Sequence, residues 1–146
     1  MIAEQIESFR NGLIEKTKAG RLKWKPLVLY SGWEEIESEL IRRNIPADYN
    51  ANSIRVETSY YLESGEGVVL LLEIVHGYPE VTSPEYDTLA LLVKVNTLLP
   101  IDNLTYFNDE EQEQLRALHL LIEADYDERY PYPETLYEFM NQVTEG

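Results

Sequence analysis

Cysteine is absent from the 146 residues, which removes disulfides, thiolate metal sites and thiol nucleophiles together and fits a reducing cytosol. Histidine occurs only as His76 and His119, too far apart in the chain for an H-E-x-x-H pair or any other two-histidine metal spacing on one element. Long apolar runs are missing too. The longest, Val68 to Leu72, is far short of the roughly 20 residues that cross a bilayer as a helix. Glu4 and Glu7 interrupt the first ten residues, so no secretory signal is expected there. A glycine-rich phosphate loop is lacking as well: Gly65 and Gly67 flank Glu66 in what reads as a hairpin turn, and Ser64 and Ser83 lie outside any G-x-S-x-G context.

Positive charge is scarce and unevenly placed. Twelve Lys+Arg stand against 27 Asp+Glu, a net charge of −15. Residues 1–56 hold 9 basic and 8 acidic side chains (+1), and residues 57–146 hold 3 and 19 (−16). Such a field repels nucleic-acid phosphates and anionic lipid and attracts basic partners in a salt-dependent way. Neither a nucleic-acid partner nor a membrane is therefore expected. The exception is Lys16, Lys18, Arg21, Lys23, Trp24 and Lys25, a basic-aromatic segment of the kind that binds single strands by phosphate contact and stacking. The expectation set against that use is pairing with the acidic half inside the fold.

What is present is enough apolar material, 44% of the chain with 11 tyrosines, to fold as one domain over residues 1–146. Ile2, Ile6, Phe9 and Leu13 recur at helical spacing and predict a first helix that ends near Gly20 and buries Ile6, Phe9 and Leu13. Leu22, Trp24, Val28 and Tyr30 alternate as in a strand, but Pro26 sends it to a sheet edge or splits it. A second helix is predicted from about Trp33 to Arg43, capped by Ser31. Ile54 to Leu62 and Val68 to Val75 form the clearest β-hairpin, and Thr88 to Val95 supplies another strand. Asn108, followed by Asp109, Glu110 and Glu111, marks a strong helix start, with Leu115, Leu118 and Ile122 on one face. Residues Asp125 to Tyr130 read as irregular, and Leu136, Phe139, Met140 and Val143 as a terminal amphipathic helix. The fold class expected is α+β: an antiparallel sheet of three to four strands, flanked by helices on one side and at both ends of the chain.

Two segments bear a resemblance. Leu13 to Trp24, with its glycine stop and Gly20-Arg21-Leu22-Lys23-Trp24 opening, resembles the start of small uncharacterised Gram-positive bacterial or mobile-element proteins. It implies a bacterial cytosolic α+β protein and carries over no functional residue. Trp33 to Tyr49, closing on Ile45-Pro46-Ala47-Asp48-Tyr49, resembles the helix and L-P-x-x-Y segment of SMI1/KNR4-type immunity proteins. The chain departs from that family at Ile54, where the following F-L and glycine pattern is missing, and that fold is not adopted.

No constellation names a reaction, and no catalytic residue, metal or cofactor is assigned. With 27 carboxylates some pairs stand at catalytic separations by chance; Asp125, Asp127 and Glu128 fail the calcium-loop pattern at Arg129 and Tyr130. The expected function is that of a non-enzymatic, acidic, cytoplasmic interaction or accessory protein whose partner is another protein, and the acidic field suits a basic one. The candidate interaction surface comprises Asp109, Glu110, Glu111, Asp125, Asp127 and Glu128 with Tyr126, Tyr130 and Tyr132. Two alternatives stay open: an acidic antidote that imitates nucleic acid before a basic partner, which needs those carboxylates in one strip, and a hydrolase using carboxylates convened in space.

Overall fold

The computed structural model describes residues 2–43, 54–75, 88–96, 98–129 and 134–145, with only the backbone at 127–129. Helix α1 spans Ile2–Lys18 and closes on Gly20 at φ +74°. There the Arg21 amide bonds the Lys16 carbonyl at 2.9 Å and the Gly20 amide the Thr17 carbonyl at 3.0 Å. This pair of bonds is a Schellman cap, which favours a residue without Cβ. Strand β1 (Lys25–Pro26) leads through a 3₁₀ turn, Leu27–Leu29, into α2 (Trp33–Arg43). A second 3₁₀ turn, Val56–Thr58, precedes β2 (Tyr60–Ser64) and β3 (Gly67–Ile74). Strands β4 (Thr88–Lys94) and β5 (Asp102–Asn103) follow, then helices α3 (Asp109–Arg129) and α4 (Glu134–Glu145).

The sheet is an antiparallel meander in the order β1-β2-β3-β4-β5. It has five strands where three to four are expected, because β5 is only two residues long and has no alternation to read. Helices also cover both faces rather than one. Ile36 and Leu40 of α2 pack with Leu70, Leu72, Ile74 and Leu92 on one face; Leu13 of α1 and Leu115, Leu118 and Ile122 of α3 pack with Val69, Leu71 and Leu91 on the other. A strand covered on both sides buries consecutive residues, which is why β3 reads as an unbroken apolar run.

The hairpin register is Tyr60↔Leu71 through Ser64↔Gly67, and Gly65 at φ +60° supplies the first turn position that a type II′ turn requires. The long strand expected from Ile54 is broken. The Ser59 hydroxyl accepts the Glu73 amide at 3.0 Å and donates to the Arg55 carbonyl at 2.6 Å, so a side chain replaces a ladder partner while Val56–Thr58 forms the 3₁₀ turn. Side chains complete β4 in the same way. Gln112 of α3 makes a two-way bond to Leu89, 2.9 Å in each direction, and Thr105 serves Leu91 at 2.7 and 3.2 Å. Backbone groups beyond the short β5 are thereby satisfied.

Three further expectations change. Phe9 is 38% exposed, and the buried stripe of α1 runs through Ile6, Arg10, Leu13 and Thr17. Arg10 sits inside because its guanidinium reaches Glu111 at 3.3 Å and Gln114. The residues from Asp125 to Arg129, read as irregular, continue α3. The amide of Ile36 bonds to Gly32 rather than to Ser31, at 3.3 Å, making Gly32 the residue that starts α2.

Candidate functional site

Helix α3 carries most of the sequence-predicted surface, and its geometry divides that surface in two. Asp109 and Glu110 are exposed at its first turn; Asp125 and Tyr126 are half-buried near its other end, about 24 Å away at 1.5 Å per residue. Glu111 is no surface residue. At 1% exposure its carboxylate accepts the amides of Tyr106 (2.9 Å) and Phe107 (2.8 Å) and pairs with Arg10, while its own amide bonds Asn108 Oδ1 at 2.9 Å. Asn108 is the N-cap, and Glu111 reaches back past it to the two preceding amides, beside Phe107 at φ +60°. Asp127 and Glu128 lie on the helix with side chains outside the description, and Tyr130 and Tyr132 fall outside the described residues, as does His76. Of the carboxylates named for one strip, Glu111 is thus removed from the surface.

The basic-aromatic segment divides as well. Trp24 is 1% exposed, in the core, with Nε1 donating to Thr17 Oγ1 at 2.9 Å, so it offers no stacking face. Lys16, Lys18, Arg21, Lys23 and Lys25 are exposed, and among the described residues no ion pair joins them to a carboxylate, contrary to the pairing expected.

Two arrangements were not legible in the sequence. The first surrounds His119, in a cavity of about 360 Å³ lined by Thr58, Glu73, Leu89, Arg116, Leu120 and Glu123. His119 Nε2 lies 2.7 Å from the Thr58 carbonyl and 3.7 Å from Glu73, and Nδ1 lies 3.4 Å from Glu123. A carbonyl only accepts, so Nε2 carries a proton and donates it there. The imidazole lines the cavity and is tethered at Nε2 to the backbone. Two carboxylates do converge on one histidine, from β3 and α3. Among the described residues no group of three or more His, Asp or Glu is placed to hold a metal ion, and no helix is long and apolar enough to cross a membrane.

The second arrangement is a groove of about 400 Å³ beside β1, lined by Val28, Tyr30, Ser31, Trp33, Glu34 and Val56 over Leu27. The Tyr30 ring lies 4.6 Å from that of Tyr61, tilted by 37°. Burial first, then Glu63, Tyr61 and Glu35, push the Tyr30 phenol above its ordinary value of 10.0. Glu35 and Glu63 act on that phenol, and Glu34 lines the groove. A Tyr-x-Gly-Trp string is the only trace of it in the sequence.

A third feature is α4. Of the stripe predicted for this helix, Phe139, Met140 and Val143 are 61%, 52% and 65% exposed and Leu136 is half-buried, with Tyr137 beside them at 53%, so three of its four residues stand largely uncovered by any described residue. No protein-family model matches the chain, and neither a curated protein nor a solved structure is similar enough to it to count as a match.

Proposed function

We propose that the chain is a non-enzymatic, cytosolic interaction or accessory protein that engages another protein through the apolar face of α4. The observation carrying this reading is the uncovered stripe of Phe139, Met140 and Val143 with Tyr137 beside it. Aromatic side chains and methionine are enriched at interface cores, and the spacing is that of a helix laid into a groove. Glu134, Glu138 and Glu145 fall on the opposite side at 100° per residue, which leaves them in solvent once the apolar face is covered. Burying what the four apolar-face side chains still expose yields about 3–7 kcal/mol gross, against an association cost of about 4–15 kcal/mol. The helix alone supports a weak complex, and flanking contacts set the final affinity. A photo-crosslinking residue at Phe139 should join to a discrete partner in native extract while one at Glu138 does not; equal labelling from both positions overturns the reading.

The hydrolase alternative is favoured by one observation, the convergence of Glu73 and Glu123 on His119. Against it stands the Nε2 bond to Thr58 at 2.7 Å, which commits the ring to joining α3 to the turn before β2. Turnover of chromogenic ester, phosphoester or glycoside substrates that disappears in His119→Ala, with folding retained, would reverse this preference.

A further inference from the structure

The groove beside β1 has a built floor and a definite charge. Gly32 allows the Tyr30 ring to lie over it: a Cβ there would stand 2.9 Å from the ring's Cζ and hydroxyl oxygen. With the Tyr61 ring 4.6 Å away and tilted by 37°, Tyr30 is held in place, and Trp33 packs against the same core cluster. Val28 is exposed at the rim. Glu34 lines the wall, Glu35 and Glu63 lie close enough to act on Tyr30, and no cation is among the lining residues.

We infer that this groove receives an extended, proline-containing, basic segment of a partner protein, with prolines against Tyr30 and Trp33 and a lysine or arginine beside Glu34 and Glu35. The inference rests on the reading of the chain as an interaction protein and names the class of segment it takes. Three considerations select that occupant. Adjacent fixed aromatic rings at an open surface suit the polyproline II helix, whose ordering cost is already met. The carboxylates select a cationic flank and disfavour an acidic one. Strand addition is blocked, because β1 is two residues long and Pro26 has no amide to donate.

The test titrates the whole ¹⁵N-labelled chain with a synthetic ten-residue peptide of alternating prolines flanked by two arginines, and with its twin carrying glutamates in their place. The arginine peptide should shift the Trp33 indole and the Val28 and Val56 amides in a saturable way and bind about tenfold more tightly than the twin. Its affinity should fall as salt rises. Glu34→Lys with Glu35→Lys, both exposed and harmless to the core, should reverse the preference between the peptides while leaving the remaining spectrum unchanged. Absence of shifts at Trp33, equal binding of both peptides, or equal binding of an arginine peptide without proline overturns the inference. Shifts confined to α4 also overturn it while leaving the α4 reading intact. Binding at the groove by a chain whose α4 captures nothing would have the opposite result, sustaining the groove and sinking α4.

Discussion

Replacing Glu39 with Gln should cost about 1–2 kcal/mol at neutral pH, and that cost should vanish in acid. The carboxylate, on α2, accepts the Ile101 amide at 2.6 Å, Arg43 Nη1 at 2.8 Å and Lys94 Nζ at 2.9 Å. It joins α2 to β4 and to the segment entering β5. Burial acts to raise its pKa, but the Ile101 amide, Lys94 and Arg43 outweigh it and bring the group from 4.5 to about 2. That gap corresponds to about 3 kcal/mol, and solvent screening at the more open Arg43 reduces it to about 1–2 kcal/mol. Because the folded value lies below the unfolded one, this stability is complete above about pH 4.5 and is lost as pH falls through about 2. Gln keeps an oxygen for the Ile101 amide and lacks the charge, so it mimics the protonated acid. Urea unfolding of both chains at pH 7, 3.5 and 2 should give a difference that shrinks towards zero. A difference that stays constant over this range, or lies below about 0.5 kcal/mol at pH 7, would refute the argument.

Glu111→Ala should cost about 3–5 kcal/mol, since it strands buried Arg10 and the Tyr106 and Phe107 amides; Asn108→Ala should cost about 1 kcal/mol, both read by denaturant unfolding. Leu13→Ala should lose about 2–5 kcal/mol as a cavity mutation, whereas Phe9→Ala, whose ring is only partly covered, should lose about 1–2 kcal/mol; equal losses would mean α1 is rotated from the position described. Gly65→Ala places a Cβ at positive φ and should destabilise by about 1–2 kcal/mol, seen as a drop in melting temperature that Gly65→Asn partly recovers.

Much of the architecture is legible from periodicity and end signals. The α2 limits follow from its spacing and its two terminal arginines, α3 starts where Asn108 and the acidic residues after it announce an N-cap, and the hairpin turn falls at Gly65. Local patterns fail where a distant partner decides. Phe9 and Arg10 are equally plausible inward residues on α1 until Glu111 supplies the buried counter-charge. The strand from Ile54 looks continuous because Ser59 resembles any polar strand residue, yet its hydroxyl replaces a backbone partner of Glu73. Strand β5 has too few residues to show a period. The sites are harder still, since the His119 cavity draws Thr58, Glu73 and Glu123 from three elements, and the groove depends on Gly32 making room for Tyr30. Charge counts signalled an acidic surface but not its distribution: Glu111 turned inward, and the ends of α3 lie about 24 Å apart.

Affinity capture from native extract at low salt tests the α4 claim most directly, using three forms of the chain. These are the wild type, Phe139→Glu with Met140→Glu on the apolar stripe, and Glu134→Gln with Glu138→Gln on the opposite side. The account predicts a discrete protein retained by the wild type and by the glutamine variant and reduced about tenfold or more by the apolar-stripe variant. Equal recovery by all three, or nothing retained by the wild type, would contradict it.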